Sequence, residues 1–265
     1  MDKLLYIAMS GAKQNMHALS VNANNLANAK TTGFKQDMAQ ARAMQAFGEG
    51  LPSRVFSMTE RASQNFDSGA LLTTGRDLDI AVEGNGWIAV QAAGPSPNTG
   101  NQNAQQLGQV GNDDEAYTRF GQLKLSPEGM LETSNGHPVI GENGPITIPL
   151  PVNNITISRD GTITVRPEGA PATVQEEVGR IKLVNPDNRL MAKGNDGLFR
   201  LKSGAIAEAD INVGVVSGAL ESSNVNPIGE VTDMIALQRQ FEMQLKLMKT
   251  AEENDSAAGS LLRAF

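Results

Sequence analysis

Residues able to do chemistry are scarce in this chain. Two histidines, His17 and His137, are the whole supply of imidazole among 265 residues, and there is no cysteine. Disulfides, zinc-thiolate sites and thiol nucleophiles are therefore excluded. His17 falls beside a helical stripe and His137 follows the turn dipeptide Asn135-Gly136. Neither has a spaced ligand or nucleophile as companion, so both read as structural or surface residues. The run Asp113-Asp114-Glu115 lacks the alternating oxygen ligands and central glycine of a calcium loop and reads as a solvated loop edge. Gly84-Asn85-Gly86 and Gly141-Glu142-Asn143-Gly144 are glycine-rich, but strand-type residues follow them where a phosphate loop needs a helix, so they read as hairpin turns. Met9, Met16, Met234, Met243 and Met248 could offer soft thioether ligands, yet their helical spacing reads as packing. Asp79, Glu83 and Glu132 remain as catalytic acids only by elimination. The expectation is a protein with no catalytic residues, no metal and no cofactor.

Packing patterns are stronger than chemical ones. Leu5, Met9, Ala12, Met16, Leu19, Ala23 and Leu26 fall at alternating spacings of four and three, a heptad seam on one helix. Met234, Leu237, Phe241, Met248, Ala251 and Ala258 repeat the pattern near the C-terminus, with Gln244 and Asp255 in two interior slots. Pro227 suits the first turn of that helix. A narrow stripe needs a partner, and the simplest burial pairs the two terminal helices. Within Val21–Asn28, four asparagines are poor helix formers, and Asn24, Asn25 and Asn28 are expected to hydrogen-bond across a helix interface and fix its register. Gly33 can take the left-handed conformation that stops a helix, with Phe34 folding back on the last turn.

Between the helices the chain changes character. Residues 76–220 carry short β-type runs separated by glycine turns and no sustained helical period, which reads as an all-β domain, a sandwich or an open barrel. Gly94 to Asp114 is Gly, Asn, Gln and Pro with few hydrophobes and reads as a long loop on that domain. Residues 35–75 read as an extended connector. The fold class is mixed α+β: an N-terminal helix over 1–34 pairs with a C-terminal linker and helix over 221–265 in a coiled-coil layer, and the β domain is inserted between them.

Acidic residues outnumber basic ones by 29 to 22, giving a net charge of −7 and a pI near 5.0. That balance argues against nucleic acid as partner. No apolar run approaches the ~18 residues of a membrane span, and the N-terminus lacks the pattern of a secretory signal, which by itself would place the chain in the cytoplasm.

The segment Asn24-Asn25-Leu26-Ala27-Asn28-Ala29-Lys30-Thr31-Thr32-Gly33-Phe34-Lys35 resembles the N-terminal signature of the bacterial flagellar rod and hook family. Its counterpart is Leu220-Glu221-Ser222-Ser223-Asn224-Val225-Asn226-Pro227, followed by Met234-Ile235 and Gln238-Arg239-Gln240-Phe241-Glu242. Between them, Thr74-Gly75-Arg76-Asp77-Leu78-Asp79-Ile80-Ala81-Val82, Gly84-Asn85-Gly86-Trp87 and Tyr117-Thr118-Arg119-Phe120-Gly121 are similar to the family's β-domain motifs. Matches run in order along nearly the whole chain. The opening residues Met1-Asp2-Lys3-Leu4-Leu5-Tyr6 and the Asn226-Pro227 pair are most similar to the proximal rod branch, with the distal rod and hook branches as alternatives.

The resemblance implies a structural axial subunit of the proximal rod of the flagellar basal body, assembling head to tail in the periplasmic drive shaft that transmits torque. Its partners are then other rod subunits, proximal and distal, and the flagellar type III export apparatus, with no direct membrane insertion. Export by that route replaces the cytoplasmic expectation. The residues expected at the assembly interface are Leu5, Met9, Met16, Leu19, Asn24, Asn25, Leu26, Asn28, Met234, Leu237, Phe241 and Met248. An enzyme acting on the cell wall is the reading of a different class.

Overall fold

Alanine and leucine, the best helix formers, recur through the first segment, and Lys3–Ala27 forms helix α1. Its end is set by the asparagines: Asn28 N–H donates to the carbonyls of Asn24 and Asn25, and Asn28 Nδ2 donates to the Asn24 carbonyl at 2.9 Å. The last helix, α2, runs Pro227–Arg263. Asn226 caps it, its Oδ1 accepting from the N–H groups of Ile228 and Gly229, and Pro227 gives up no needed donor in the first turn. The computed structural model describes residues 3–45, 55–59, 63–92, 115–169, 171 and 175–263. The glycine- and glutamine-rich stretch expected as a loop over 94–114 lies outside the described residues.

The chain divides into two compact units. The first comprises Met1–Lys30, Lys35–Asp67 and Asn224–Phe265. Here α1 packs along α2, and Ala8, Ala12 and Ala251 are buried. Small side chains on both helices let the backbones approach. The stretch expected as a plain connector holds paired strands: Asp37–Met38 with Ser63–Gln64, and Ala41–Gln45 with Val55–Thr59. A two-stranded ribbon is marginal alone. This second pair lies on α1, where Ser10 Oγ accepts from Ser57 N–H at 3.4 Å.

The second unit comprises Thr31–Phe34 and Ser68–Ser223. Its described strands form antiparallel sheets, the largest with five strands in the order Leu183–Val184, Trp87–Gln91, Glu115–Thr118, Phe199–Leu201, Met191–Lys193. A three-stranded sheet joins Val152–Ile157, Thr162–Pro167 and Glu176–Arg180. No closed barrel forms among the described residues. The core is aliphatic, with Ile80, Ile88, Leu123, Leu131, Val139 and Ile163 fully withdrawn from water, each worth about 1.5–3 kcal/mol of burial.

One expected hairpin is absent. Ile80–Glu83 and Trp87–Gln91 flank Gly84-Asn85-Gly86 but do not pair; Ile80–Glu83 pairs with Gly214–Ser217 instead. The glycines carry the chain from one sheet to another, with Gly84 at φ 67° and Gly86 at φ 148°. By contrast, Ile140–Gly141 and Gly144–Pro145 do close the expected hairpin.

Candidate functional site

The residues expected to form a seam are sorted by the helix pair of the first unit. On α2, Met234, Leu237, Phe241 and Met248 are half-buried, with Gln244 among them and Ala251 buried. On α1, Leu5, Leu19 and Leu26 are half-buried and Ala12 is buried. Met9 and Met16, however, are each 52% exposed, and Ala23 is exposed. The inward stripe is Leu5, Ala8, Ala12, Asn15, Leu19, Asn22 and Leu26, a heptad running three-four instead of four-three. Both phases share Leu5, Ala12, Leu19 and Leu26. Close approach to α2 selects the edge with the smaller side chain at position 8, and leaves both methionines outside.

The asparagines also separate. Asn24 is exposed and Asn28 caps its own helix, whereas Asn25 is 1% exposed and central. Asn25 Nδ2 donates to the Asp37 carbonyl at 2.8 Å and to Glu230 Oε1 on α2 at 3.4 Å, and Asn25 Oδ1 accepts from Asp37 N–H at 2.9 Å. Gln36 Nε2 donates to the same Glu230 oxygen at 2.6 Å. Glu230, 4% exposed, stands in the first turn of α2, where the helix dipole favours a carboxylate. Lys35, equally buried, sends its ammonium to the Asp67 carbonyl at 2.8 Å, and Asn224 holds Gln36 N–H and the carbonyls of Asn65 and Asp67.

A second cluster lies within the β-rich unit. Arg119 Nη1 donates to Glu221 Oε2 at 2.9 Å, and Arg119 Nη2 donates to the Gly84 carbonyl at 2.7 Å. The guanidinium lies 5.4 Å from the Trp87 ring, which packs on Phe199 at 4.6 Å. Glu221 is fully used: Oε1 accepts from Gly69 N–H at 2.9 Å and its carbonyl accepts from Gly33 N–H at 2.8 Å. Gly33 has φ 67°, and a Cβ there would stand 2.4 Å from the Arg119 carbonyl group. The left-handed conformation thus serves this contact and lies well beyond the end of α1. Phe34 packs under the Lys193 ammonium, 4.0 Å from ring centre.

This cluster gathers residues of four separated signature motifs, those containing Gly33, Gly84 with Trp87, Arg119, and Glu221. Nothing in it can attack or transfer: a buried arginine–carboxylate ion pair beside an indole makes a structural joint. The three acids left by elimination are engaged locally, Asp79 with Arg76 at 3.9 Å, Glu83 with Arg159 at 2.7 Å and Glu132 with Lys124 at 3.8 Å. His17 and His137 are both half-buried. The sequence reading missed Glu221 and Glu230 as organising groups. Glu221 had a visible signal, a lone charge closing the apolar strand Ala219–Glu221. Glu230 had none beyond its place near a helix start.

Three family models match the chain: "Flagella basal body rod protein" over residues 5–35, "Flagellar hook protein FlgE/F/G D1 domain" over 107–165, and "Flagellar basal body rod FlgEFG protein C-terminal" over 216–261. Among curated proteins, the flagellar basal-body rod proteins FlgF of Salmonella typhimurium and of Escherichia coli are each 39% identical to it, with 99% of both chains covered. FlgG of Agrobacterium fabrum, another flagellar basal-body rod protein, is 31% identical over 98% of this chain and 100% of its own.

Proposed function

Because the chain belongs to the flagellar basal-body rod protein family, we propose that its helix pair is the part that joins neighbouring subunits and its β-rich unit the part that projects from the shaft. The chain is a structural subunit of the proximal rod and not an enzyme. It assembles with other rod components. In the proposed arrangement, α1 and α2 form a coiled-coil layer, subunits add head to tail, and the rod they build turns in the periplasm after passage through the flagellar type III export apparatus.

One observation carries this reading. Pairing with α2 leaves a second apolar face on α1, with Tyr6, Met9 and Met16 about half exposed, and α2 keeps Ile235, Met243 and Leu247 equally open. Large hydrophobic residues at helical spacing on both outer faces fit more helices packing outside the pair. Phe241 belongs to the inner face and tests the layer directly. Phe241→Asp is expected to abolish swimming while the β-rich unit keeps its urea midpoint; normal motility in that strain would remove the helix pair from assembly.

A further inference from the structure

The contacts of α1 with α2 are antiparallel and unevenly polar. Two of them stand out chemically. Near one end, buried Asn25 meets buried Glu230. Toward the other, Gln244 lies over Gly11, where a Cβ would come within 2.6 Å of Gln244 Nε2, and Asn15 Nδ2 donates to Gln244 Oε1 at 3.4 Å. Gly11 is the one glycine in Lys3–Ala27, in a helix otherwise made of better formers. The space beside its Cα is the notch in which the Gln244 amide end sits.

Spacing of the two contacts is the same on both helices. From Gly11 to Asn25 is 25 − 11 = 14 residues, and from Glu230 to Gln244 is 244 − 230 = 14 residues. Two heptads separate them in each case. We propose that Gly11/Gln244 and Asn25/Glu230 form a two-point register lock that admits a single antiparallel alignment of α1 on α2.

Slipped alignments show why both points are needed. The apolar seam residues Leu5, Ala12, Leu19 and Leu26 repeat every seven, so apolar packing alone tolerates a heptad shift. A shift of one heptad one way sets Gln244 against Ala18, whose methyl group fills the notch although Asn22 takes the place of Asn15, and the other way sets Glu230 against Ala18, which has no amide to offer it. A shift of two brings Gln244 to Asn25 in one direction or Glu230 to Gly11 in the other, and in each case carries the second α2 residue past an end of α1. Only the observed alignment serves both. Gln36, joined to α1 through the turn and bonded to Glu230, reinforces it. Glu230 and Gln244 are positioning residues: they decide which outward faces of the two helices stand level.

The absence of cysteine makes the register measurable in the full chain. Spin labels on Ser20→Cys and Lys249→Cys, both exposed positions, report the axial offset between the helices. The wild-type background should give one dominant distance. Glu230→Leu combined with Gln244→Leu should add populations in which one helix has moved by a heptad, about 10 Å along the axis. Glu230→Gln, which still accepts from both amides, should keep the wild-type distance. A double variant that is helical by circular dichroism and retains the single distance overturns the proposal, as does a wild-type chain without a dominant distance. Should the double variant lose its helices, Gly11→Leu carries the test, since leucine favours helix but fills the notch; an unmoved distance there also overturns it. The readout needs no assembly, so it fails independently of the rod function.

Discussion

Arg119 and Glu221, 102 positions apart in sequence, form a 2.9 Å ion pair whose side chains are only 3% and 1% exposed. Two charges so far from water hold each other and are held by fixed partners, Gly84 O for the arginine and Gly69 N–H for the glutamate. Removing one partner leaves the other as an uncompensated buried charge. Arg119→Met is expected to cost the β-rich unit about 3–5 kcal/mol. Arg119→Met with Glu221→Leu should lose less than the sum of the single variants, since the double change strands no charge. The chain's single tryptophan, Trp87, sits at this pair, so urea unfolding followed by its fluorescence reads the cycle. Strictly additive losses would show that the two residues are not coupled.

Gly33 tests the same joint through the backbone. With φ at 67° and Arg119 main-chain atoms where a Cβ would go, Gly33→Ala meets both conformational strain and a clash. A loss of more than about 1 kcal/mol is expected, against gains of ~0.4–1 kcal/mol where alanine fits. Gly136, also at positive φ but with open space around its Cβ position, is the control: its alanine variant keeps the strain and omits the clash. Equal effects at the two sites would remove the Arg119 contact from the account.

Tyr117 gives an alkaline signature. Burial pushes its phenol well above the usual range; the Ala207 N–H bonded to its oxygen at 2.7 Å opposes this, and the nearby Glu115 carboxylate adds to it. The unfolded chain then loses this proton first as pH rises. Stability from Tyr117 is therefore complete below the unfolded value of about 10 and declines above it. Tyr117→Phe leaves the Ala207 N–H without its acceptor and should cost about 1–3 kcal/mol at pH 8. The gap between wild type and variant should narrow from pH 10 to pH 11 in urea titrations, and a constant gap would mean that the phenol does not couple to folding there.

Met9 and Met16 separate assembly from folding. Both point away from α2 with half their surface open, so Met9→Lys and Met16→Lys should change the chain's stability by no more than about 0.5 kcal/mol. If the outer face of α1 meets neighbouring subunits, the paired lysines will stop rod completion and swimming. Wild-type motility together with wild-type stability would clear that face of any role.

Much of the architecture was legible in local pattern. The heptad spacing of Met234, Leu237, Phe241 and Met248 marked both α2 and its inner face, because a single stripe on a long helix leaves little choice of which side to bury. On α1 the pattern favoured the wholly apolar phase through Met9, Met16 and Ala23 over the inward phase through Ala8, Asn15 and Asn22. Close approach of the helices, with the smaller side chain at position 8, decided for the inward one. Strand content was legible from glycine punctuation, and turn geometry closed the short hairpins at Asn143 and Asp160. Partners of Ile80–Glu83 were not legible, since their pairing with Gly214–Ser217 spans more than a hundred residues and leaves no local mark.

The sequence alone determined the two terminal helical stripes and the glycine-punctuated β-rich middle, because these are periodic and periodicity survives without knowledge of neighbours. The order of its signature segments carried the resemblance to its family. Tertiary structure alone decided that Gly33, Trp87, Arg119 and Glu221 meet in one joint, that Asn25 and not Asn24 reaches α2, and that Gly11 faces Gln244. Each of these depends on direct packing between residues far apart in sequence, where one methyl group or one buried charge selects among packings that the apolar pattern does not distinguish.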